Sequence, residues 1–457
     1  GPVSGGLAGN CEDDEVSFGQ ERLWIYHQIE PAARSSYNVP FALQLTGDID
    51  PGLVKAALKV VVSRHDVLRT LVVTAPDGTP SLRSCESEIN VKFGDFSKHQ
   101  EARSEAARFI GDELANAIDP ASEILRVHLI RVAPQEWLLF AVIHHIAFDG
   151  WSAGLMAREF LTAYDALKRG VPPQLPELPI RYGDYARWQR RALSSSMLDE
   201  QLAFWRQKLA NAPEPAELPA DFPIPSEPTF EGDSVCFELS TGMAESFERF
   251  CREEKFTPYM VFLATFQALL GRWTGADDII VGSPVSGRMH QQMDNVIGFF
   301  VNTLPMRADL SNGPSFRTLL DQVRAFALEA YGSQEVPFEK IIEALNLPRT
   351  SGRTPLVQAT LTLQGEPEPL PDVAGLTAEW HEIQRRPFVK FDLAMHIEST
   401  GTSYKARLDF ATDLFRRTTA ERFATHFQNF LRAAISDPNQ SIRRIKFLSE
   451  KEHQFIR

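Results

Sequence analysis

Cysteine is scarce in this chain: four in 457 residues, at Cys11, Cys85, Cys236 and Cys251, with no C-x-x-C pair. That scatter indicates neither a disulfide framework nor a zinc ribbon, and it fits a reducing cytoplasm. Positive charge is outnumbered, with 47 Lys and Arg against 60 Asp and Glu and a net charge of −13. Nucleic-acid binding needs clustered cations on phosphates, so no nucleic-acid partner is expected. The short basic patches Arg385-Arg386 and Arg416-Arg417 read as solvated surface or as sites for a small acidic partner. No apolar run is long enough to span a membrane, and the opening residues Gly1 to Gly6 lack the basic and apolar regions of a signal peptide. Internal repeats, low-complexity tracts, a Walker loop and a G-x-G-x-x-G fingerprint are all missing. What remains, 43% hydrophobic and 23% charged, is an ordinary globular chain long enough for more than one core.

Strands and amphipathic helices alternate in two passages, separated by the proline-rich stretch from Gly170 to Pro179. This predicts an α/β protein of two lobes: residues 1–15 a free polar tail, 16–175 the first lobe, and 176–457 the second lobe with segments crossing back. In the first lobe, Phe41–Thr46 is strand-like, Pro51–Ser63 helical and Leu68–Val73 a returning strand. In the second, Pro258–Trp273 is a nearly all-apolar helix with Thr257 as its cap. Asp278–Pro284 and Ile297–Leu304 read as strands, and Gly365–Pro371 as an irregular crossing segment.

The richest chemistry lies in Ala141-Val-Ile-His-His-Ile-Ala-Phe-Asp-Gly-Trp-Ser152. Trp137–Ile143 has the unbroken apolarity of a strand covered on both faces. If that strand persists through His145, its period of two sends His144 and His145 to opposite faces, and only one reaches a given pocket. Asp149-Gly150 is turn chemistry, and Ser152 opens a helix to about Arg169 with Gly170 as its cap. The pattern admits a buried strand with satisfied core histidines, a metal site, or a catalytic imidazole, His145, with Asp149 as its orienter. Opposed faces and the absence of a ligand at zinc spacing count against the metal. A serine hydrolase is a further alternative, because Gly150-Trp-Ser-Ala-Gly154 matches the G-x-S-x-G elbow between a strand and a helix.

Several motifs together resemble the condensation domains of nonribosomal peptide synthetases, from about Ser17 to the end. They are Ser17-Phe-Gly-Gln-Glu-Arg-Leu-Trp24, Arg64-His-Asp-Val-Leu-Arg-Thr70, the complete H-H-x-x-x-D-G at His144–Gly150, Tyr182-Gly-Asp-Tyr-Ala-Arg-Trp188, Ile297-Gly-Phe-Phe-Val-Asn-Thr-Leu304 and Arg349-Thr-Ser-Gly-Arg-Thr-Pro-Leu356. Departures are Gly19 where alanine is usual, Asp66 where glutamate is commoner, and Ser333 in place of histidine before Gln334-Glu-Val-Pro-Phe-Glu339.

The resemblance implies two chloramphenicol-acetyltransferase-like lobes in a V-shaped pseudo-dimer with a tunnel between them. The implied activity is amide-bond formation between a donor acyl- or peptidyl-thioester and the α-amine of an acceptor aminoacyl-thioester. No cofactor is bound directly; substrates ride on phosphopantetheine arms, or on coenzyme A for a fatty-acyl starter donor. The implied partners are peptidyl carrier protein domains and an adenylation domain, with no membrane and a monomeric chain in the cytoplasm. His145 is the implied catalytic group, as base or as a residue that positions the amine, and the Gly150 N–H an oxyanion donor. His144 and Asp149 are implied as structural, Asp149 paired with Arg288 from the second lobe, and Arg64, Trp151 and Asn302 as tunnel-lining. The order Asp149-Gly-Trp-Ser152 disfavours an epimerization domain, and both histidines disfavour a heterocyclization domain or a noncatalytic carrier-docking module. Ile442–Glu452 resembles a linker toward an adenylation domain, which counts against a free-standing coenzyme A acyltransferase. The donor stays open between L-peptidyl and fatty-acyl branches, the polar Gly5–Glu15 leaning toward the starter.

Overall fold

The computed structural model describes residues 15–85, 88–194, 196–213, 217–347, 354–366, 368–383, 388–449, 452 and 454. The expected polar tail, apart from Glu15, and the Arg349–Arg353 part of the last motif lie outside them. The chain divides into two compact units, the first comprising Gly1–Met197, Ser286–Val301 and Pro367–Arg385, the second Leu198–Val285, Asn302–Glu366 and Arg386–Arg457.

The first unit is built on a five-stranded sheet in the order Leu376–Trp380, Asn38–Gly47, Glu136–His144, Leu125–Ala133, Val91–Asp95. The central strand is apolar at nearly every position because both faces are covered. Leu138, Phe140 and Val142 share one face and pack with Ala106, Ile110 and Leu114 of the Ala102–Ala115 helix. The alternate residues Leu139, Ala141 and Ile143 are equally buried on the other face. Register pairs Asn38 with His144 and Leu125 with Ile143, so the histidine pair emerges where the sheet ends.

The second unit carries a six-stranded mixed sheet, ordered Gly232–Glu238, Tyr404–Ala411, Leu393–Ser399, Ala359–Gln364, Asp278–Val285, Asn302–Asp309. Its nearly all-apolar helix, Pro258–Thr274, is buried without interruption from Met260 to Gly271, as its composition predicts. Thr257 Oγ1 caps it by accepting from the Met260 N–H at 3.2 Å, and Gly275 closes it at φ 75°. Phe262 stacks on Phe247 at 4.4 Å between ring centres. Among the described residues, no helix is long and apolar enough to cross a membrane.

The proline-rich stretch does not mark the division between units. The Tyr182–Ser194 helix beyond it belongs to the first unit, where Arg190 pairs with Glu21 at 2.7 Å and Gln189 accepts from the Phe18 N–H at 3.0 Å. Two strand expectations also shift. Asp66–Arg69 winds as a 3-10 turn before the Thr70–Thr74 strand, and the strand expected at Ile297 begins only at Asn302. Ile297–Val301 instead ends an excursion that leaves the six-stranded sheet after Val285 and returns opposite it, at the Val285–Asn302 pair. Gly287 makes the excursion possible: its φ is +66°, and a Cβ there would lie 1.9 Å from the Phe300 carbonyl oxygen.

Candidate active site

The Glu136–His144 strand ends at the first histidine, and His145–Ala147 is a 3-10 turn. The expected alternation through His145 therefore fails, and the rings diverge because the chain winds rather than because it stays extended. His144 is fully buried, stacked on Tyr37 at 5.8 Å, edge-on to His27 at 5.6 Å, with Nδ1 accepting from the Ile146 N–H at 3.1 Å. That is a packing residue. His145 is only partly buried, and its Nδ1 lies 2.6 Å from the Phe148 carbonyl oxygen. A carbonyl only accepts, so Nδ1 carries the proton and Nε2 of the neutral ring is the accepting nitrogen. The Phe299 ring stands edge-on to this imidazole, 4.7 Å between centres.

Asp149 caps the helix Gly150–Lys168, which thus starts two residues before Ser152. Its Oδ1 accepts from the Ser152 N–H at 2.9 Å, and its Oδ2 from the Phe300 N–H at 3.2 Å. Arg288 Nη2 reaches both oxygens, at 3.2 and 3.3 Å, with both side chains almost wholly buried. Arg288 Nη1 donates to the Met293 and Val296 carbonyls, and its guanidinium lies 4.1 Å from the Phe300 ring centre. Burial pulls the Arg288 pKa down while Asp149 opposes it, yet a guanidinium starts so high that it stays cationic. The partner expected from the second lobe comes instead from Ser286–Val301, in the same unit as Asp149.

Ser152 contradicts the nucleophile-elbow reading. Its hydroxyl is fully buried, 2.7 Å from Asp149 Oδ1 and 3.1 Å from the Gly298 carbonyl, either of which takes its single proton. It accepts from the Gly298 N–H at 3.0 Å and from Arg288 Nη2 at 3.2 Å. No imidazole is among these partners. Ser152→Ala is expected to leave buried polar groups unmatched and to lower stability by about 1–3 kcal/mol, while a serine-directed fluorophosphonate fails to label the native protein. Mass-spectrometric labelling at Ser152 would restore the hydrolase.

The remaining expected residues divide. Gly150 is exposed, and a Cβ there would meet nothing within 4 Å. Trp151 is 48% exposed although its indole N–H donates to the Asp294 carbonyl at 2.9 Å. Arg64 is engaged by Glu159 at 2.9 Å and by the Pro176 carbonyl, which ties the proline-rich stretch down. Asn302 is a clamp within the second unit: its amide donates to the Gln334 and Val336 carbonyls and its Oδ1 accepts from the Phe338 N–H at 3.0 Å. The Ser333 substitution is local to the same loop, where the Ser333 carbonyl accepts from Trp205 Nε1 at 2.8 Å.

Residues that sequence reasoning passed over complete the site. His65 is fully buried, with Nε2 2.9 Å from Glu159 Oε2 and Nδ1 accepting from the Ile297 N–H at 3.3 Å. Tyr182 donates to the Phe299 carbonyl at 2.7 Å and lies 2.8 Å from Ser17 Oγ; burial raises its pKa well above the usual phenol range. Both stand in motifs whose resemblance was visible, but nothing in a linear pattern says which side chain meets which backbone. Among the described residues, no cluster of three or more His, Cys, Asp or Glu is placed to hold a metal.

A family model described as Condensation domain matches residues 12–457. The chain is 39% identical over 454 residues to a probable non-canonical nonribosomal peptide synthetase, CymA, of Salinispora arenicola, covering 96% of this chain and 6% of that protein. It is 36% identical over 458 residues to a dimodular nonribosomal peptide synthase of Bacillus subtilis, covering 96% and 19%. This chain thus corresponds to a small part of each relative. Among solved structures, the X-domain from teicoplanin biosynthesis superposes with a TM-score of 0.88 at 23% identity, covering 97% and 100% of the two chains. The starter condensation domain of rhizomide synthetase, solved with C8-CoA, superposes at 0.80 and 21% identity, covering 95% and 97%. The two α/β units are those of the chloramphenicol-acetyltransferase-like fold, and the chain belongs to the condensation-domain family of nonribosomal peptide synthetases.

Proposed function

We propose that this domain joins a donor acyl- or peptidyl-thioester to the α-amine of an acceptor aminoacyl-thioester, with His145 at the reacting centre. The observation that carries the reading is the Nδ1–Phe148 hydrogen bond, which presents Nε2 of a partly exposed imidazole as an acceptor. In the reaction the amine nitrogen attacks the thioester carbonyl, the C–S bond breaks, and the products are an amide and the free thiol of the donor arm. An α-amine has a pKa of about 8, so a useful fraction is neutral near pH 7. His145 Nε2 then accepts a hydrogen bond from that amine to orient it, or takes its proton as the tetrahedral carbon forms. The Gly150 N–H, in the first helical turn where donors lack intrahelical partners, is the candidate for the developing oxyanion. Asp149 and Arg288 hold the turn that carries both. No covalent serine intermediate is required, because a thioester is already activated.

Carrier protein domains are the proposed partners and a neighbouring adenylation domain the proposed companion, with cytoplasmic location and no need for self-association. The donor class is decided by intact-protein mass spectrometry of carrier-bound products from a panel of peptidyl, aminoacyl and medium- or long-chain acyl thioesters. We expect an amide product on the acceptor arm, with the acyl thioester turned over at least as fast as an aminoacyl donor. Product only from L-peptidyl donors would reject the starter branch. No amide from any donor would reject the condensation reading.

A further inference from the structure

The backbone of Ile297–Phe300 is held, residue by residue, by side chains from three places in the chain: the end of the Pro51–Arg64 helix, the start of the Gly150–Lys168 helix and the start of the Tyr182–Ser194 helix. His65 Nδ1 accepts the Ile297 N–H, Ser152 Oγ accepts the Gly298 N–H, Tyr182 donates to the Phe299 carbonyl, and Asp149 Oδ2 accepts the Phe300 N–H. All four side chains are buried at 2% exposure or less. Gly298 admits no side chain, since a Cβ there would lie 2.1 Å from the Tyr182 ring. A segment outside any strand would ordinarily be among the softer parts of a fold, and here each residue has its own fixed partner.

One side chain of this segment meets the catalytic imidazole: Phe299, edge-on to His145 at 71° between ring planes. Phe299 is itself confined, since Gly19 approaches its ring so closely that a Cβ would lie 2.9 Å from it, and Arg22 lies 5.9 Å from its centre on the helix Phe18–Ile29. The usual alanine at position 19 would press on this ring. Among the contacts on this imidazole are a hydrogen bond from Nδ1 that selects the tautomer and an aromatic wall that restricts rotation about its side chain.

We infer that Phe299 is a positioning residue for His145, and that His65, Ser152, Tyr182 and Asp149 act on catalysis by holding the backbone from which Phe299 projects. The inference rests on the proposed role of His145. Loss of the wall lets the imidazole turn, weakens the Nδ1–Phe148 bond and misdirects Nε2, so the effect falls on turnover rather than on substrate capture.

The test measures Phe299→Ala, Phe299→Leu and Phe299→Tyr in the full chain with carrier-bound substrates. It is paired with nitrogen chemical shifts of the His145 ring in protein labelled at histidine, which report the tautomer without any turnover. We expect Phe299→Ala to cut kcat on the order of 10²-fold with KM little changed, and its His145 shifts to move from the single Nδ1-protonated form toward a tautomer average. Phe299→Leu should fall between, and Phe299→Tyr, which keeps the ring, should recover most of the rate. Wild-type kcat and an unmoved tautomer in Phe299→Leu would overturn the inference. So would equal losses in all three variants that track their melting temperatures. A wild-type protein that forms no amide, yet shows the tautomer change in Phe299→Ala, would place the failure in the proposed reaction and leave the packing relation standing.

Discussion

His145→Ala is expected to lower the rate of amide formation by about 10²–10⁴-fold, the range that a positioned acid–base group contributes, while the far-ultraviolet circular dichroism and melting temperature stay close to wild type. The second half of that expectation follows from exposure. His145 lies partly exposed at the edge of the core and bonds the Phe148 carbonyl, so truncation leaves a polar space that water can enter. His144→Ala should behave in the opposite way. It removes a fully buried ring wedged between Tyr37 and His27, and the cavity should cost about 2–5 kcal/mol. Rate measured at a temperature where the variant is still folded should then be lost only in part. Single-turnover assays beside thermal melts separate the two. Equal catalytic losses without destabilisation at both positions would show that the turn after the strand does not set their roles.

The second large effect concerns Asp149 and Arg288. Asp149 answers the helix start, the Phe300 N–H and the guanidinium together, so no single replacement satisfies the groups it leaves behind. Asp149→Ala or Arg288→Ala strands an uncompensated buried charge and should cost about 3–5 kcal/mol each. The double variant should be less damaged than the sum, with a coupling of about 0.5–3 kcal/mol in a denaturation cycle. Activity should fall with stability in the singles, because the same aspartate caps the helix whose first turn carries Gly150. Additivity would mean that the ion pair contributes nothing beyond its separate hydrogen bonds.

Local structure was largely readable from the sequence where one physical signal dominated. The central strand announces itself by unbroken apolarity, the Pro258–Thr274 helix by its cap and composition, and the end of the Gly150–Lys168 helix by Gly170, whose φ is +72°. The Asp149–Arg288 contact was anticipated by family resemblance, yet its unit was misjudged, since a sequence does not show that the chain lends Ser286–Val301 to the first unit and then takes it back. The serine-hydrolase alternative at Ser152 fell for a related reason. A G-x-S-x-G string carries no information on whether the hydroxyl faces substrate or, as here, a backbone some 150 residues away, 3.0 Å from the Gly298 nitrogen. Asn302 shows the same limit of linear pattern. Its polar side chain stands out in an apolar motif, yet nothing in the motif discloses that it bonds the Gln334–Phe338 loop through both its amide and its carbonyl. Long-range hydrogen bonds of this kind depend on topology, and topology was the part least visible in linear pattern.

The Ser286–Val301 excursion bears on how such domains can be recombined. A chimera that exchanged only the contiguous stretch Gly1–Met197 with a relative would sever Asp149, Ser152, His65 and Tyr182 from the native Arg288 and Ile297–Phe300 to which they are matched. The heritable unit of this candidate site is therefore discontinuous. A graft that respects it carries three pieces of chain, with one junction pair placed at the Val285–Asn302 rung, where the ladder rejoins itself and a foreign loop can be closed without disturbing either neighbour.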